Sequence, residues 1–245
     1  MRYYHKQNKG TLVITALNCR LLEEYGHRFL DSFPRDSLDL TVFSEEHISI
    51  PHRALAYKQF YLKHKDTPIR SYKMDAVRFH WKPQAVSTAL RLDYISNYDS
   101  ILWIDADTVF LKDITQQWID DNVRTEHIMS YMGRPNYYSE TGLLFFNLNN
   151  KATRLYIETV WNYYVSERVF ELTEWHDSYV WDYVRAKQEL DYNYKFRNLG
   201  VDYKVPGGHI AVHLYGDVMD HRKGKRKKNA KSPENTANNR RKQSD

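Results

Sequence analysis

The chain has 245 residues, 42% hydrophobic and 27% charged, with a formal net charge of +5, enough for one α/β domain with a sizeable core. Its single cysteine, Cys19, excludes an intramolecular disulfide and a cysteine metal cluster. No stretch approaches the ~20 apolar residues of a membrane span, and the run from Leu12 to Leu17 is too short for a secretory h-region. A cytoplasmic protein in a reducing compartment is therefore the expectation.

The charge is unevenly spread. From His221 onward there are 10 Lys+Arg against 2 Asp+Glu, which leaves 26 against 29 in the first 220 residues. Any anion binding by the sequence at large belongs to this tail. Aromatics reach 15%, with 20 Tyr and 6 Trp. Most of these fill a core, but Tyr and Trp also suit a cleft that stacks sugars or bases.

In chain order, Thr11 to Leu17 predicts a strand, Asn18 to Ser32 an amphipathic helix with Leu21, Leu22, Tyr25 and Phe29 on one face, and Leu38 to Phe43 a second strand. That order opens a parallel α/β sheet. Helices are expected over Arg53 to His64 and Ser71 to Tyr94, with Pro83 breaking or restarting the second. Ile101 to Ile104 is wholly apolar, as a strand covered on both faces should be. Strands at His127 to Tyr131 and Gly142 to Leu148, helices at Asn150 to Val165 and Asp177 to Lys187, and a strand at His209 to Leu214 complete the series. The polar, basic remainder predicts disorder in isolation. The expected organisation is a domain over residues 1–220 followed by a basic segment, 221–245.

The segment richest in chemistry is Ile101-Leu-Trp-Ile-Asp-Ala-Asp-Thr-Val-Phe110. In an extended chain Asp105 and Asp107 share a face about 7 Å apart, a spacing that suits one hard divalent cation. They also fall at the carboxyl end of a strand, where open α/β sheets bind ligands. A helix cap or a solvated loop pair is the plain alternative.

This segment resembles the metal-binding motif of GT-A fold glycosyltransferases, in particular the glycogenin-like family 8 type, including phage or bacterial members. The resemblance implies a single GT-A-type, Rossmann-like α/β domain with a mostly parallel sheet flanked by helices. It also implies Mn²⁺ (or Mg²⁺) and a UDP-sugar donor, with Ala106 beside the donor.

Three further segments resemble the same group. His221-Arg-Lys-Gly-Lys-Arg-Lys227 fits a His-x-x-Gly-x-x-Lys pattern, in which His221 completes the metal site while Gly224 and Lys227 contact the diphosphate. The chemistry agrees with that implication: imidazole suits Mn²⁺-class ions, glycine admits close backbone approach, and lysine neutralises a leaving diphosphate. A solvated or nuclear-localisation-like basic run is the alternative, and His213 is a rival ligand.

Ser139-Glu140-Thr141-Gly142, leading to Asn147, is similar to a segment that lines the donor sugar and includes Gly142. Glu140 stands where that pattern has Asn, which makes it a candidate base or stabiliser of the anomeric centre; an ordinary loop carboxylate reads almost as well. Glu174-Trp-His-Asp177-Ser178 resembles an Asp-Gln pair that grips sugar hydroxyls, with Ser178 departing from the Gln and Asp177 also a candidate helix cap. Lys82 matches a lysine near the donor, with Arg78 as substitute and a packed-stem surface lysine as the alternative. Thr15, Ala16 and Leu17, which end the first strand before Asn18, correspond to the nucleotide-binding loop.

The implied function is hexose transfer from a nucleotide-sugar to a hydroxyl, with retention favoured. A glycan or protein acceptor is the leading expectation. Rival readings are a DNA-modifying glucosyltransferase acting on a hydroxylated base, a nucleic-acid-binding module without catalysis, and a metal-dependent phosphatase or nucleotidyltransferase.

Overall fold

A computed structural model describes residues 10–69, 71–134, 137–200 and 218–221. The β-branched run of β1 (Gly10–Ala16) lies between β2 (Asp39–Ser44) and β4 (Tyr98–Ile104) and is parallel to both. The seven-stranded sheet runs β3-β2-β1-β4-β7-β6-β8, with β3 (Arg53–Ala54), β6 (Met129–Arg134), β7 (Tyr137–Asn147) and β8 (Arg197–Asn198). Only β7 runs against the rest, pairing antiparallel with both β4 and β6. The start of β7 therefore lies at the same sheet edge as the carboxyl ends of β1, β2 and β4.

Side-chain alternation in the central strands explains their unbroken apolar character. Leu12 and Ile14, Ile101 and Trp103, and Leu144 and Phe146 pack into one layer with α5 (Trp81–Ala89), α7 (Lys151–Val165) and α8 (Asp177–Tyr192). Their neighbours Val13, Leu102, Ile104, Leu143 and Phe145 pack into the opposite layer with α2 (His27–Ser32) and α6 (Gln116–Asn122). Both faces are covered, so a polar side chain in these strands is costly unless it finds a partner, as Thr11 and Ser100 find each other at 2.8 Å.

Local signals account for most boundaries. Asn18 caps α1 (Cys19–Leu21), its side chain accepting from the Leu21 amide at 2.8 Å. The helix continues through a π turn (Leu22–Gly26) into α2. Pro83 sits in the first turn of α5, which restarts after α4 (Ala76–Phe79). Thr115 caps α6, Asn150 caps α7, and Asn193 ends α8 in the left-handed region.

The structure departs from expectation at several short elements. Residues 53–64 are not one helix. Arg53 and Ala54 pair with Phe43 and Ser44 as β3, and only α3 (Gln59–His64) is helical. The ladder at the sheet edge overrides a weak local helical preference. The stretch from 71 to 94 is likewise divided, into a 3₁₀ turn (Tyr72–Met74), α4 and α5. Helix α6, β8, β5 (Thr108–Phe110) and β9 (Met219–His221) have no counterpart in the sequence reading, the three strands being only two or three residues long. The expected strand at 209–214 lies outside the described residues.

Candidate active site

The chain leaves β4 through a tight turn. The Thr108 amide donates to the Asp105 carbonyl at 3.0 Å, which places Ala106 and Asp107 at the turn's centre. The Asp105 amide donates to the Gly142 carbonyl of β7 at 2.9 Å, anchoring the turn to the sheet. This geometry replaces the extended pair, about 7 Å apart, that strand alternation predicts. The carboxylates are brought closer because the backbone reverses between them.

From the turn the chain enters β5, which pairs antiparallel with β9, Thr108 opposite His221. That pairing delivers the imidazole to the two carboxylates. His221 Nε2 lies 2.9 Å from Asp107 Oδ1 and 3.7 Å from Asp105 Oδ2. One ligand atom from each of Asp105, Asp107 and His221 falls within 4.8 Å of the other two. Ligands around a small hard cation sit about 2.0–2.6 Å from it, so the triangle is of a size that one ion can span. Two carboxylates and an imidazole form an oxygen–nitrogen donor set suited to Mn²⁺-class ions and to Mg²⁺.

Around this triangle lies a cleft of about 1580 Å³ along the sheet edge. Pockets that hold one drug-sized ligand run roughly 300–1,000 Å³, and this cleft exceeds that range. Ala16, Leu17, Ala106, Lys82, Glu140 and Asp177 all line it. Thr15 points away and is wholly buried, and Gly142 contributes buried backbone, its amide donating to Glu140 at 3.1 Å. Gly224, Lys227 and His213 lie outside the described residues. Asn147 sits at the other end of β7, opposite Ser100, and bonds to the Glu126 carbonyl.

Lys82 is the hub on the α5 side. Its ammonium is 2.9 Å from Asp105 Oδ1 and 2.7 Å from Asp177 Oδ2, and it donates to the Thr141 carbonyl at 2.9 Å. Burial opposes the charge, but the Asp105 and Asp177 carboxylates outweigh it and hold this lysine above its ordinary pKa. Burial likewise pushes Asp177 upward, while Lys82 and then Thr141 bring it below the usual carboxylate range. Asp177 is the first residue of α8; the cap itself is His176, whose ring accepts from the Tyr179 amide. Arg78 also lines the cleft, with its guanidinium over the Phe79 ring.

Glu140 is buried. One of its oxygens lies 3.8 Å from His221 Nδ1 and the other 3.6 Å from Arg134. It thus faces the side of the imidazole turned away from Asp107.

Sequence reasoning missed several cleft residues. Tyr25, on the π turn, faces the Asp105–Asp107–His221 triangle: burial first, then the Asp107 and Asp105 carboxylates, raise its phenol well above the ordinary value and keep it protonated. Its place on the apolar face of the predicted helix disguised it, although π turns often mark functional positions. Trp103 donates its indole N–H to Asp105 Oδ1 at 2.7 Å. Thr141 donates to Asp177 Oδ2 at 2.9 Å and meets the Ser178 hydroxyl at 3.1 Å.

No protein-family model matches the chain, and no curated protein matches it. Solved structures with similarity to it include a glycosyltransferase involved in glycosylation of the major capsid of PBCV-1, at 10% identity, covering 77% of this chain and 81% of that one, with a TM-score of 0.45. Mouse xyloside xylosyltransferase 1 in its apo form is similar at 12% identity, over 80% and 86%, with a TM-score of 0.45. The glycosyltransferase GlyE of Streptococcus pneumoniae TIGR4 is similar at 14% identity, over 78% of this chain but 45% of that one, with a TM-score of 0.41. These likenesses are distant, and the site described above stands on this chain's own residues.

Proposed function

We propose that the chain is a metal-dependent glycosyltransferase of GT-A type that moves a hexose from a nucleotide-sugar, a UDP-sugar by the sequence resemblance, to a hydroxyl acceptor with retention. The observation that carries this reading is the convergence of Asp105, Asp107 and His221 within 4.8 Å at the carboxyl end of the central strand. In this reading residues 1–220 form the catalytic domain and the start of 221–245 completes the donor site.

Asp105, Asp107 and His221 would hold Mn²⁺ or Mg²⁺. When bound, such an ion supplies Lewis-acid neutralisation of the departing diphosphate. By the sequence resemblance, Gly224 and Lys227 would contact the same diphosphate. Ala16, Leu17 and Ala106 line the nucleotide side of the cleft, and Thr15 and Gly142 support that wall from behind.

On the sugar side, Lys82 fixes the Asp177 carboxylate with Thr141, leaving a preorganised anion for sugar hydroxyls and for positive charge at the anomeric carbon. Glu140 supplies a second buried carboxylate on the far side of the imidazole.

The test is product analysis with a panel of UDP-hexoses, with and without Mn²⁺. Release of UDP together with free or transferred hexose, abolished in Asp105→Asn and Asp107→Asn, is the expected result. Release of UMP with sugar phosphate instead assigns cleavage of the pyrophosphate linkage and overturns the transferase reading.

A further inference from the structure

The cleft is larger than the donor site needs, and its far end has a chemistry of its own. Sheet order separates the two ends: β1 and β2 flank β4 on one side, β7 on the other. Ala16, Leu17 and Asn18 lie on the first side. Beyond Asp177, on the β7 and α8 side, the wall is built by Tyr72, Lys73, Tyr137, Tyr138 and His176.

Two features of this end call for a ligand. The first is misplaced apolar surface. Among the described residues, 11 large hydrophobic side chains are exposed, and four of them, Tyr61, Ile69, Tyr72 and Tyr137, line this one cleft. Tyr72 is 60% exposed and Tyr137 71%. Rings left this open in a concave site are surfaces for stacking.

The second feature is a polar array already locked in position. Glu174, behind the wall, accepts from Lys73 Nζ at 2.7 Å, from the Tyr138 hydroxyl at 3.2 Å and from His176 Nε2 at 2.8 Å. One buried carboxylate thus orders three side chains that face the cleft. His176 is further fixed by the Tyr179 amide and sits among the rings of Tyr72, Phe79 and Tyr138. Ligand-binding polar groups held this way lose little entropy on binding.

The charge of the cleft selects among ligands. Over its whole length, Asp105 and Asp107 included, the described lining contains six Lys and Arg side chains against seven Asp and Glu. A groove for nucleic acid needs a net basic surface to exchange for condensed counterions, and this one has none. Open rings beside fixed hydroxyl-bonding groups instead match a polyhydroxylated, uncharged ligand, whose C–H faces stack while its hydroxyls bond.

We propose that Tyr72, Lys73, Tyr137, Tyr138 and His176 form the acceptor subsite and that the acceptor is a neutral saccharide. This rests on the transferase reading above. It places the acceptor hydroxyl on the Asp177 side of the donor, and it makes Tyr72 and Tyr137 the residues that set acceptor affinity.

The test uses the full chain with UDP and Mn²⁺, probed on a printed array of neutral and acidic oligosaccharides, with a 20-mer DNA duplex and an unglycosylated peptide set as the other arms. Binding of UDP with Mn²⁺ is followed separately by thermal shift. The expected result is retention of neutral oligosaccharides, weakened ~10-fold or more in Tyr72→Ala and Tyr137→Ala, as for central contact residues. Tyr72→Phe should keep the binding, since stacking does not need the hydroxyl, and the UDP shift should be unchanged in all three. Preference for DNA, peptide or acidic glycans overturns the proposal, as does equal glycan binding by the alanine variants or no glycan retained. If UDP and Mn²⁺ give no shift, the donor reading fails; a UDP shift without glycan binding removes the acceptor assignment alone.

Discussion

The indole N–H of Trp103 and the ammonium of Lys82 converge on one and the same oxygen of Asp105, Oδ1, at 2.7 and 2.9 Å. The other oxygen, Oδ2, is the one turned toward His221. One oxygen of Asp105 is thereby committed to Trp103 and Lys82 and the other left toward His221, with Trp103, near the end of β4, acting as the positioning residue.

Trp103→Phe should therefore weaken Mn²⁺ binding by about 10- to 100-fold, the usual cost of removing a partner that orients a metal ligand. Free Mn²⁺ in a titration followed by electron paramagnetic resonance measures this. The loss should be smaller for Ca²⁺, because a released carboxylate can turn bidentate and Ca²⁺ favours that mode. An equal loss for both ions would refute the positioning role.

Lys82→Ala should destabilise the fold. It leaves Asp177, whose side chain is only 4% exposed, without its cation, and breaking a buried pair from one side costs ~3–5 kcal/mol. Lys82→Met combined with Asp177→Asn should recover most of that loss, because the deeply buried partner is then neutral, and Asp105, which also loses the ammonium, is 26% exposed. Urea unfolding of the two variants measures the difference, and equal instability of single and double variants would contradict the pairing.

His80 should make stability fall in mild acid. Its ring is fully buried against Phe60 and Trp81, and Nδ1 donates to the Val77 carbonyl at 2.7 Å. Burial lowers its pKa from 6.5 to about 4. The unfolded chain binds this proton first as pH drops, so the contribution is intact above about pH 6.5 and is lost progressively toward pH 4, by ~3 kcal/mol in all. His80→Phe should flatten that part of the stability–pH curve. An unchanged slope between pH 6.5 and 4 would exclude His80 as its source.

Gly200→Ala should disturb the β6–β8 edge. A Cβ at Gly200 points directly at the Gly133 carbonyl, a backbone atom that cannot rotate aside. Gly133 and Gly200 also share Asn198, whose Oδ1 accepts from both amides at 2.9 Å. Overpacking of this kind costs ~1–3 kcal/mol, read as a lower Tm in calorimetry. A Tm equal to that of the parent would mean the edge moves freely.

The central sheet was legible because its strands are buried on both faces, which turns Ile101 to Ile104 and Leu143 to Phe146 into unbroken apolar runs. The same run pointed to Asp105 and Asp107, since residues just past the carboxyl end of such a strand lie at the sheet's binding edge. His221 was legible only through the spacing of His221, Gly224 and Lys227. Its strand has three residues, Met-Asp-His, and no alternation to read. Lys82 was found by its position, but its partners Asp177 and Thr141 lie far along the chain and meet it only in the fold. The helix expected over 53–64 failed because pairing with Phe43 and Ser44 is a tertiary fact that local composition does not carry.

The short ribbon of β5 and β9 joins the middle of the polypeptide to residue 221. Asp105 and Asp107 are therefore synthesised well before the imidazole that joins them. A chain cleaved just before Met219 keeps all seven strands of the large sheet and loses the imidazole. On the proposed reading, such a chain is expected to lose metal and donor binding together.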